Sequence, residues 1–122
     1  MNMQELTLVA AKKLPITVFI INNSGYISIK NTQDNICDGR RLGADKDSGL
    51  ELPNYERIAS AYGITYQKIT SNDYIKTLPF LLKDYPIIYE VLTDPFHKTQ
   101  CRTTSVKQLD GTIKASGLEN LT

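Results

Sequence analysis

The residues best suited to chemistry are Asn22-Asn23-Ser24-Gly25-Tyr26, placed where the apolar run Ile16-Thr17-Val18-Phe19-Ile20-Ile21 stops. Two carboxamides and a glycine at the end of a strand can present side-chain oxygens and a main-chain carbonyl. These are the donors a hard cation such as Mg²⁺ takes. The carboxyl edge of a parallel sheet is also where open α/β folds bind ligands. Gly25 has its own reason to be glycine, since turning a carbonyl just after a strand asks for a backbone that a side chain opposes. The same composition also makes an ordinary strand-ending turn, because Asn, Ser and Gly favour turns through local hydrogen bonds. On the pentad alone that plainer reading is the commoner one.

The elements that must position this stretch are legible from periodicity. Leu6, Val9, Ala10 and Leu14 recur at helical spacing, which predicts an amphipathic helix over residues 2–14 that Pro15 ends. Residues 16–22 read as a strand covered on both faces in a parallel sheet. From Ile27 to Leu52 the chain is polar with little sustained periodicity, apart from a short helix over 27–35. Long connections of this kind are usually functional or mobile. Asp38-Gly39 and Ser48-Gly49 mark turns.

Pro53 opens a helix over 53–62 with Tyr55, Ile58, Ala59 and Tyr62 on one face, and Gly63 is its natural stop. A second strand follows over 64–69, then a helix over 72–84 that Pro79 interrupts, then a third strand over 87–92. This alternation predicts an α/β fold with an open parallel sheet and flanking helices. Residues 95–122 form a C-terminal tail with a hairpin-like turn at Asp110-Gly111 and little apolar content, expected to pack against something or drift.

A chain of 122 residues is one domain or part of one. Its net charge of +1 with 22% charged residues gives no field that argues for nucleic acid or a membrane surface as partner. No apolar run approaches the ~20 residues of a bilayer span and no signal peptide is recognisable, so the expected location is cytoplasmic. Cys37 and Cys101 are expected to be reduced thiols. His97, the single histidine, has no companion at metal-ligand spacing. Asp34, Asp38, Asp45 and Asp47 lie among Lys30, Arg40, Arg41 and Lys46, which reads as a solvated mixed-charge surface. Tyr55, Tyr62 and Tyr66 read as packing residues.

Several motifs taken together resemble a family. Met1-Asn2-Met3-Gln4-Glu5-Leu6, Leu14-Pro15 before the apolar strand, Asn22-Asn23, Gly25-Tyr26, Pro53-Asn54-Tyr55, Ala59, Tyr62-Gly63 and Asp94-Pro95 stand in the family's order. The chain is similar to the pyrophosphate-binding domain of thiamine diphosphate enzymes of the acetolactate synthase and 2-oxoacid decarboxylase type. Each motif is weak singly, and the set spans nearly the whole chain.

The resemblance implies thiamine diphosphate and Mg²⁺ as cofactors, with Asn23 and the Gly25 carbonyl as metal ligands and Tyr26 and Ile27 beside the cofactor. Asn22 would hold the loop. The family's metal-binding Asp sits in a Gly-Asp-Gly-Ser turn upstream of the segment equivalent to Met1. Residues 1–122 are therefore expected to be an incomplete, C-terminal portion of the domain, lacking that turn and its strand. The family's activating Glu comes from another domain across a dimer interface, so no residue here is expected to be catalytic. The complete enzyme would act on a 2-oxoacid, by carboligation or decarboxylation, as a homodimer or homotetramer.

Departures leave the substrate open. Where acetolactate synthases carry Leu-Gly-Met-Val and Gln-Trp-Gln, this chain has Tyr26-Ile27-Ser28-Ile29 and Asn31-Thr32-Gln33. Where pyruvate decarboxylases carry a Glu, it has Ile29. The rival expectation is a noncatalytic α/β binding or assembly module, or an inactive truncated product.

Overall fold

The computed structural model describes residues 2–73, 76, 82–97 and 103–115. They fall into two compact units, one of Met1–Asn22 with Pro53–Thr93 and one of Asn23–Leu52 with Asp94–Thr122.

The first unit is a three-stranded parallel sheet with helices. Helix α1 (Glu5–Ala11) precedes β1 (Thr17–Asn22). Within this unit the chain resumes in α3 (Tyr55–Ala61), β2 (Thr65–Ile69) and β3 (Ile87–Leu92). Helix α2 (Ile27–Ile36) belongs to the second unit. The strand order is β1-β3-β2, with β3 pairing parallel to both neighbours in a register of Thr17 with Ile87 and Thr65 with Ile87. The expected parallel sheet is thus present, with strand bounds within a residue of those read from the sequence.

The central strand carries the core. Ile87, Ile88, Tyr89 and Glu90 are all buried. Side chains alternate across a strand, so they serve two faces. Ile88 packs with Ala59 and Ile64, and Leu6, Val9 and Ala10 of α1 with Val18 and Ile20 of β1 close over that cluster. The other face joins Ile87 and Tyr89 to Ile69. Phe19 stacks on Tyr89 with ring centroids 5.4 Å apart. Strand β1 was expected to be covered on both faces, but Phe19 is 41% and Ile21 63% exposed. Phe19 and Ile21 share one face of β1, and that face is left partly open; β1 is also an edge strand of the described sheet, paired with β3 alone.

Helices α1 and α3 end in the same hydrogen-bonded stop. After α3, Gly63 takes a left-handed φ of 67°, Ile64 N–H reaches Ala59 O at 2.9 Å and Gly63 N–H reaches Ser60 O at 3.0 Å. After α1, Lys13 takes φ 49°, with Leu14 N–H on Val9 O at 3.0 Å and Lys13 N–H on Ala10 O at 3.1 Å. These paired bonds satisfy carbonyls that a helix end would otherwise orphan. The expected helix over 2–14 is therefore shorter, and Lys13 rather than Pro15 ends it. The helix expected over 72–84 falls mostly outside the described residues.

In the second unit α2 occupies the stretch where a short helix was expected. A one-turn 3₁₀ helix (Lys46–Ser48) follows it. Strands β4 (Ser105–Lys107) and β5 (Ile113–Ala115) form an antiparallel hairpin, and β4 packs against α2. The expected turn is at its tip. Gly111 has φ 83°, and the Asp110 carboxylate accepts from Thr112 N–H at 2.9 Å and from the Thr112 hydroxyl at 2.7 Å. Among the described residues no helix is long and apolar enough to cross a membrane.

Left-handed backbone costs a residue with a side chain roughly 1–2 kcal/mol, and glycine largely escapes it. Gly63→Ala should lower unfolding free energy by about 1 kcal/mol, whereas Lys13→Gly should raise it by up to about 1 kcal/mol. Urea denaturation of the two variants beside the parent chain checks the opposite signs.

Candidate functional site

The last residue of β1 is held by the sheet. Asn22 O accepts Thr93 N–H at 2.9 Å, and the Asn22 carboxamide donates to Oε1 of Glu90. Glu90 is a buried carboxylate in the middle of the central strand. Its Oε2 accepts the Tyr66 hydroxyl from β2, and Lys68 Nζ of the same strand lies 4.0 Å away. Burial, then this hydrogen bond and the nearby negative charge, push the Tyr66 phenol well above its usual range. A charge buried without partners is expensive, and here strands on both sides supply them. Asn22 thus ties the end of β1 to Glu90 of the central strand.

Asn23 opens the second unit. Ser24 takes a left-handed φ of 59°, and Gly25 follows at φ 158°. Tyr26 caps α2 without a side-chain hydrogen bond. The constraint at Gly25 is close approach. A Cβ there would lie 2.4 Å from the Ala44 carbonyl oxygen and 3.3 Å from the Asp45 Cα. Gly25 and Asp45 form an antiparallel bridge, and Tyr26 N–H donates to that same Ala44 oxygen at 2.8 Å. The turn therefore lies directly on residues 44 and 45.

Those residues are fixed by their own loop and by α2. Asp45 Oδ1 accepts the Ser48 amide at 3.1 Å and the Ser48 hydroxyl at 2.7 Å. The Ser48 hydroxyl oxygen in turn accepts the amides of Ala44 at 3.0 Å and Asp45 at 2.9 Å, closing a capping box. Helix α2 reaches the loop through positions spaced i, i+3 and i+4, which share a face. Lys30 Nζ lies 3.9 Å from Asp45 Oδ2. The Gln33 carboxamide bonds both the amide (3.0 Å) and the carbonyl (3.1 Å) of Leu42. Asp34 takes a two-pronged pair from Arg41 at 2.8 and 2.9 Å, and Arg41 Nη1 also reaches Asp45 Oδ2 at 3.0 Å.

This corrects the reading of the acidic stretch as solvated surface. Asp38 and Asp47 are exposed, but Lys30 is 4% and Asp45 9% exposed. The physical reason is charge matching: two cations and two carboxylates neutralise one another where the loop folds back on α2. Lys30 also lies over the Phe96 ring, 5.4 Å from its centroid. Hydrogen bonds from Ser48 and then Arg41 hold the Asp45 carboxyl below its ordinary value, and Arg41 does the same for Asp34.

Among the described residues no three His, Cys, Asp or Glu side chains are grouped to hold a metal ion. The donors at the turn are neutral, a carboxamide on Asn23 and main-chain carbonyls. Neutral oxygens suit a hard cation whose charge is balanced by a bound diphosphate. At Gly25 the side-chain position is taken by the Ala44 carbonyl, so the turn presents bare backbone packed on its own loop. Cys37 is a free, exposed thiol, and Cys101 lies outside the described residues. The sequence reading missed Glu90, Lys30 and Asp45. A Glu inside Ile-Ile-Tyr-Glu-Val-Leu, and Lys30, Gln33 and Asp34 on one helical face, were the available signals.

A three-stranded parallel sheet with flanking helices places the first unit in the open α/β class. Residues 1–85 match the family described as thiamine pyrophosphate enzyme, C-terminal TPP binding domain, and the chain belongs to that family. Among curated proteins it is similar to the acetolactate synthase large subunit of Parasynechococcus marenigrum (strain WH8102), 33% identical over 73 residues, covering 60% of this chain and 12% of that protein. It is 31% identical over 77 residues to the acetolactate synthase large subunit of Cyanidium caldarium, covering 63% of this chain and 13% of the relative. The protein of the same name from Porphyra purpurea is 38% identical over 64 residues, 52% of this chain and 10% of its own. The matches therefore span about an eighth of these relatives or less.

Gly25→Ala should lower stability by about 1–3 kcal/mol, because the methyl group must displace the Ala44 carbonyl. Chemical denaturation measures the loss, and the Tyr26 amide should exchange faster with solvent. Asp34 and Asp45 have folded pKa values below 3.8, so their contribution is present above the unfolded value. It should fade only as pH falls below about 4 toward the folded values. Urea titrations at pH 7, 4 and 3 should show this acid loss, and Asp34→Asn should flatten it.

Proposed function

We propose that this chain contributes part of the Mg²⁺–diphosphate site of a thiamine diphosphate enzyme acting on 2-oxoacids, by acetolactate synthase-like carboligation or by decarboxylation. The observation that carries the reading is the Asn23–Tyr26 turn, pressed by its glycine onto residues 44 and 45, within a stretch that matches the family. The names of the relatives support the acetolactate synthase-like side of the proposal.

Asn23 would give its carboxamide oxygen and Gly25 its carbonyl to Mg²⁺, with Tyr26 and Ile27 beside the cofactor. When bound, thiamine diphosphate supplies the carbon nucleophile and the electron sink that breaking a bond next to a carbonyl requires. The protein's part at this turn is to bind and orient. Asn22 does not reach the metal in this reading, because its carboxamide serves Glu90. Residues 1–122 form part of a thiamine diphosphate-binding domain, with 95–122 as its tail. In the family the remaining ligand and the activating carboxylate lie in segments outside the stretch equivalent to residues 1–122. The complete enzyme works as a homodimer or homotetramer.

Two substitutions in the full-length protein test the assignment. Asn23→Ala should raise the Mg²⁺ concentration for half-maximal thiamine diphosphate binding at least about tenfold, with the KM for pyruvate at saturating cofactor little changed. Asn22→Ala should mainly lower the melting temperature. Calorimetric titration of both variants decides, and a larger Mg²⁺ defect in Asn22→Ala would show the metal roles to be reversed.

A further inference from the structure

We propose that Asp45 is a positioning residue for the metal–diphosphate turn: its buried carboxylate locks the Ala44–Asp45 backbone on which Gly25 and Tyr26 rest. The inference rests on the reading that Gly25 and Asn23 bind Mg²⁺, and adds to it a residue that touches neither metal nor cofactor.

The argument is one of connectivity within the second unit. Gly25 touches the 44–45 backbone too closely for any side chain, and Tyr26 N–H is tied to Ala44 O. A displacement of Ala44 is therefore transmitted to the peptide that carries the Gly25 carbonyl. Three separate ties hold the Leu42–Asp45 stretch in turn. One is local, the Ser48 box. A second is neutral, Gln33 on the Leu42 main chain. The third is ionic, with Lys30 and Arg41 both directed at Oδ2 of Asp45.

The ionic tie acts at the critical residue itself. Arg41 has a second anchor in Asp34, reached by two hydrogen bonds, so it stays in place without Asp45. Lys30 is different. Its only described ion-pair partner is Asp45, and it is buried. Removing the Asp45 charge leaves that ammonium needing solvent, and the way to admit water is to part the loop from α2. The loop that would part is the one beneath Gly25. The groups facing the Asp45 carboxylate are Lys30 from α2, Arg41 and Ser48 from the loop, and Asp34 across Arg41.

The test uses full-length protein with MgCl₂ and thiamine diphosphate, comparing Asp45→Asn, the double variant Asp45→Asn/Lys30→Met, and Asp47→Asn as an exposed neighbour. Asp45→Asn should raise half-saturating Mg²⁺ for cofactor binding about tenfold, within the range measured for residues that support metal ligands. The Tyr26 amide should exchange at least about tenfold faster in the cofactor-free protein, reporting the loosened bond to Ala44. The KM for pyruvate at saturating cofactor should stay within about twofold, since the defect is in metal binding.

The double variant buries no unpaired lysine, so it provides the measurement where Asp45→Asn does not fold. It still lacks the Lys30 and Arg41 contacts to Oδ2 of Asp45, so it should keep a smaller Mg²⁺ defect than Asp45→Asn while recovering melting temperature. A lowered melting temperature with unchanged Mg²⁺ requirement and unchanged Tyr26 exchange would make Asp45 a stability residue only and overturn the proposal. Asn23→Ala separates the two claims. If it raises the Mg²⁺ requirement and both Asp45 variants do not, positioning by Asp45 fails and the site stands. If Asn23→Ala leaves the requirement unchanged, the site reading fails and the positioning role with it.

Discussion

A strand in a parallel sheet cannot satisfy its amides by turning back on itself; its partners must be returned by crossovers from elsewhere in the chain. Residues 87–91 are paired in this way on both edges, and the packing of the first unit is organised around them. Burial of four consecutive residues forces apolar side chains on two faces, which in turn recruits α1 and α3 on one of them. It also makes Glu90 a problem that only adjacent strands can solve. Tyr66 and Asn22 do so, one from each neighbour. A carboxylate at the centre thus fastens three strands together at the end from which β1 leads into the turn.

The fold was legible because its signals were periodic. Leu6, Val9 and Ala10, and likewise Tyr55, Ala59 and Tyr62, sit on the faces their spacing indicated, and the three strands fall where β-branched runs occur. What periodicity could not show was pairing. Nothing in Val18-Phe19-Ile20-Ile21 distinguishes an edge from a centre, since the side chains suit either. The end of α1 was misplaced for a similar reason: left-handed backbone at Lys13 has no compositional sign, whereas Gly63 announces it. At the turn, Gly25 was readable as a required glycine. Its cause was not, because the Ala44 carbonyl that excludes a side chain lies far along the sequence. The burial of Lys30 and Asp45 was hidden for the same reason, since charged residues in a polar stretch look alike until the loop closes on the helix.

The two halves of the charged network use different physics. Arg41 grips Asp34 with paired hydrogen bonds of good geometry at the surface, an arrangement in which specificity of orientation matters more than energy. Lys30 and Asp45 are buried and farther apart at 3.9 Å, so their attraction is little screened by salt. The neutral carboxamide of Gln33 between them mimics a strand pairing with Leu42, supplying main-chain order where the loop has no regular structure of its own. Together they give a glycine turn a rigid backing without a single apolar core residue larger than Ala44 in that loop being buried.

The register that pairs Thr17 with Ile87 has a kinetic side. Closing β1 on β3 joins residues about seventy positions apart, and the entropy of that closure must be met before the sheet rewards it. The contacts behind the turn span far shorter separations, from Gly25 to Asp45 at most, and α2 and the 3₁₀ helix are local. Order behind the turn is therefore within reach earlier in folding than the sheet that flanks it in sequence, and a chain emerging from its N-terminus has residues 25–50 available well before β3 has been made.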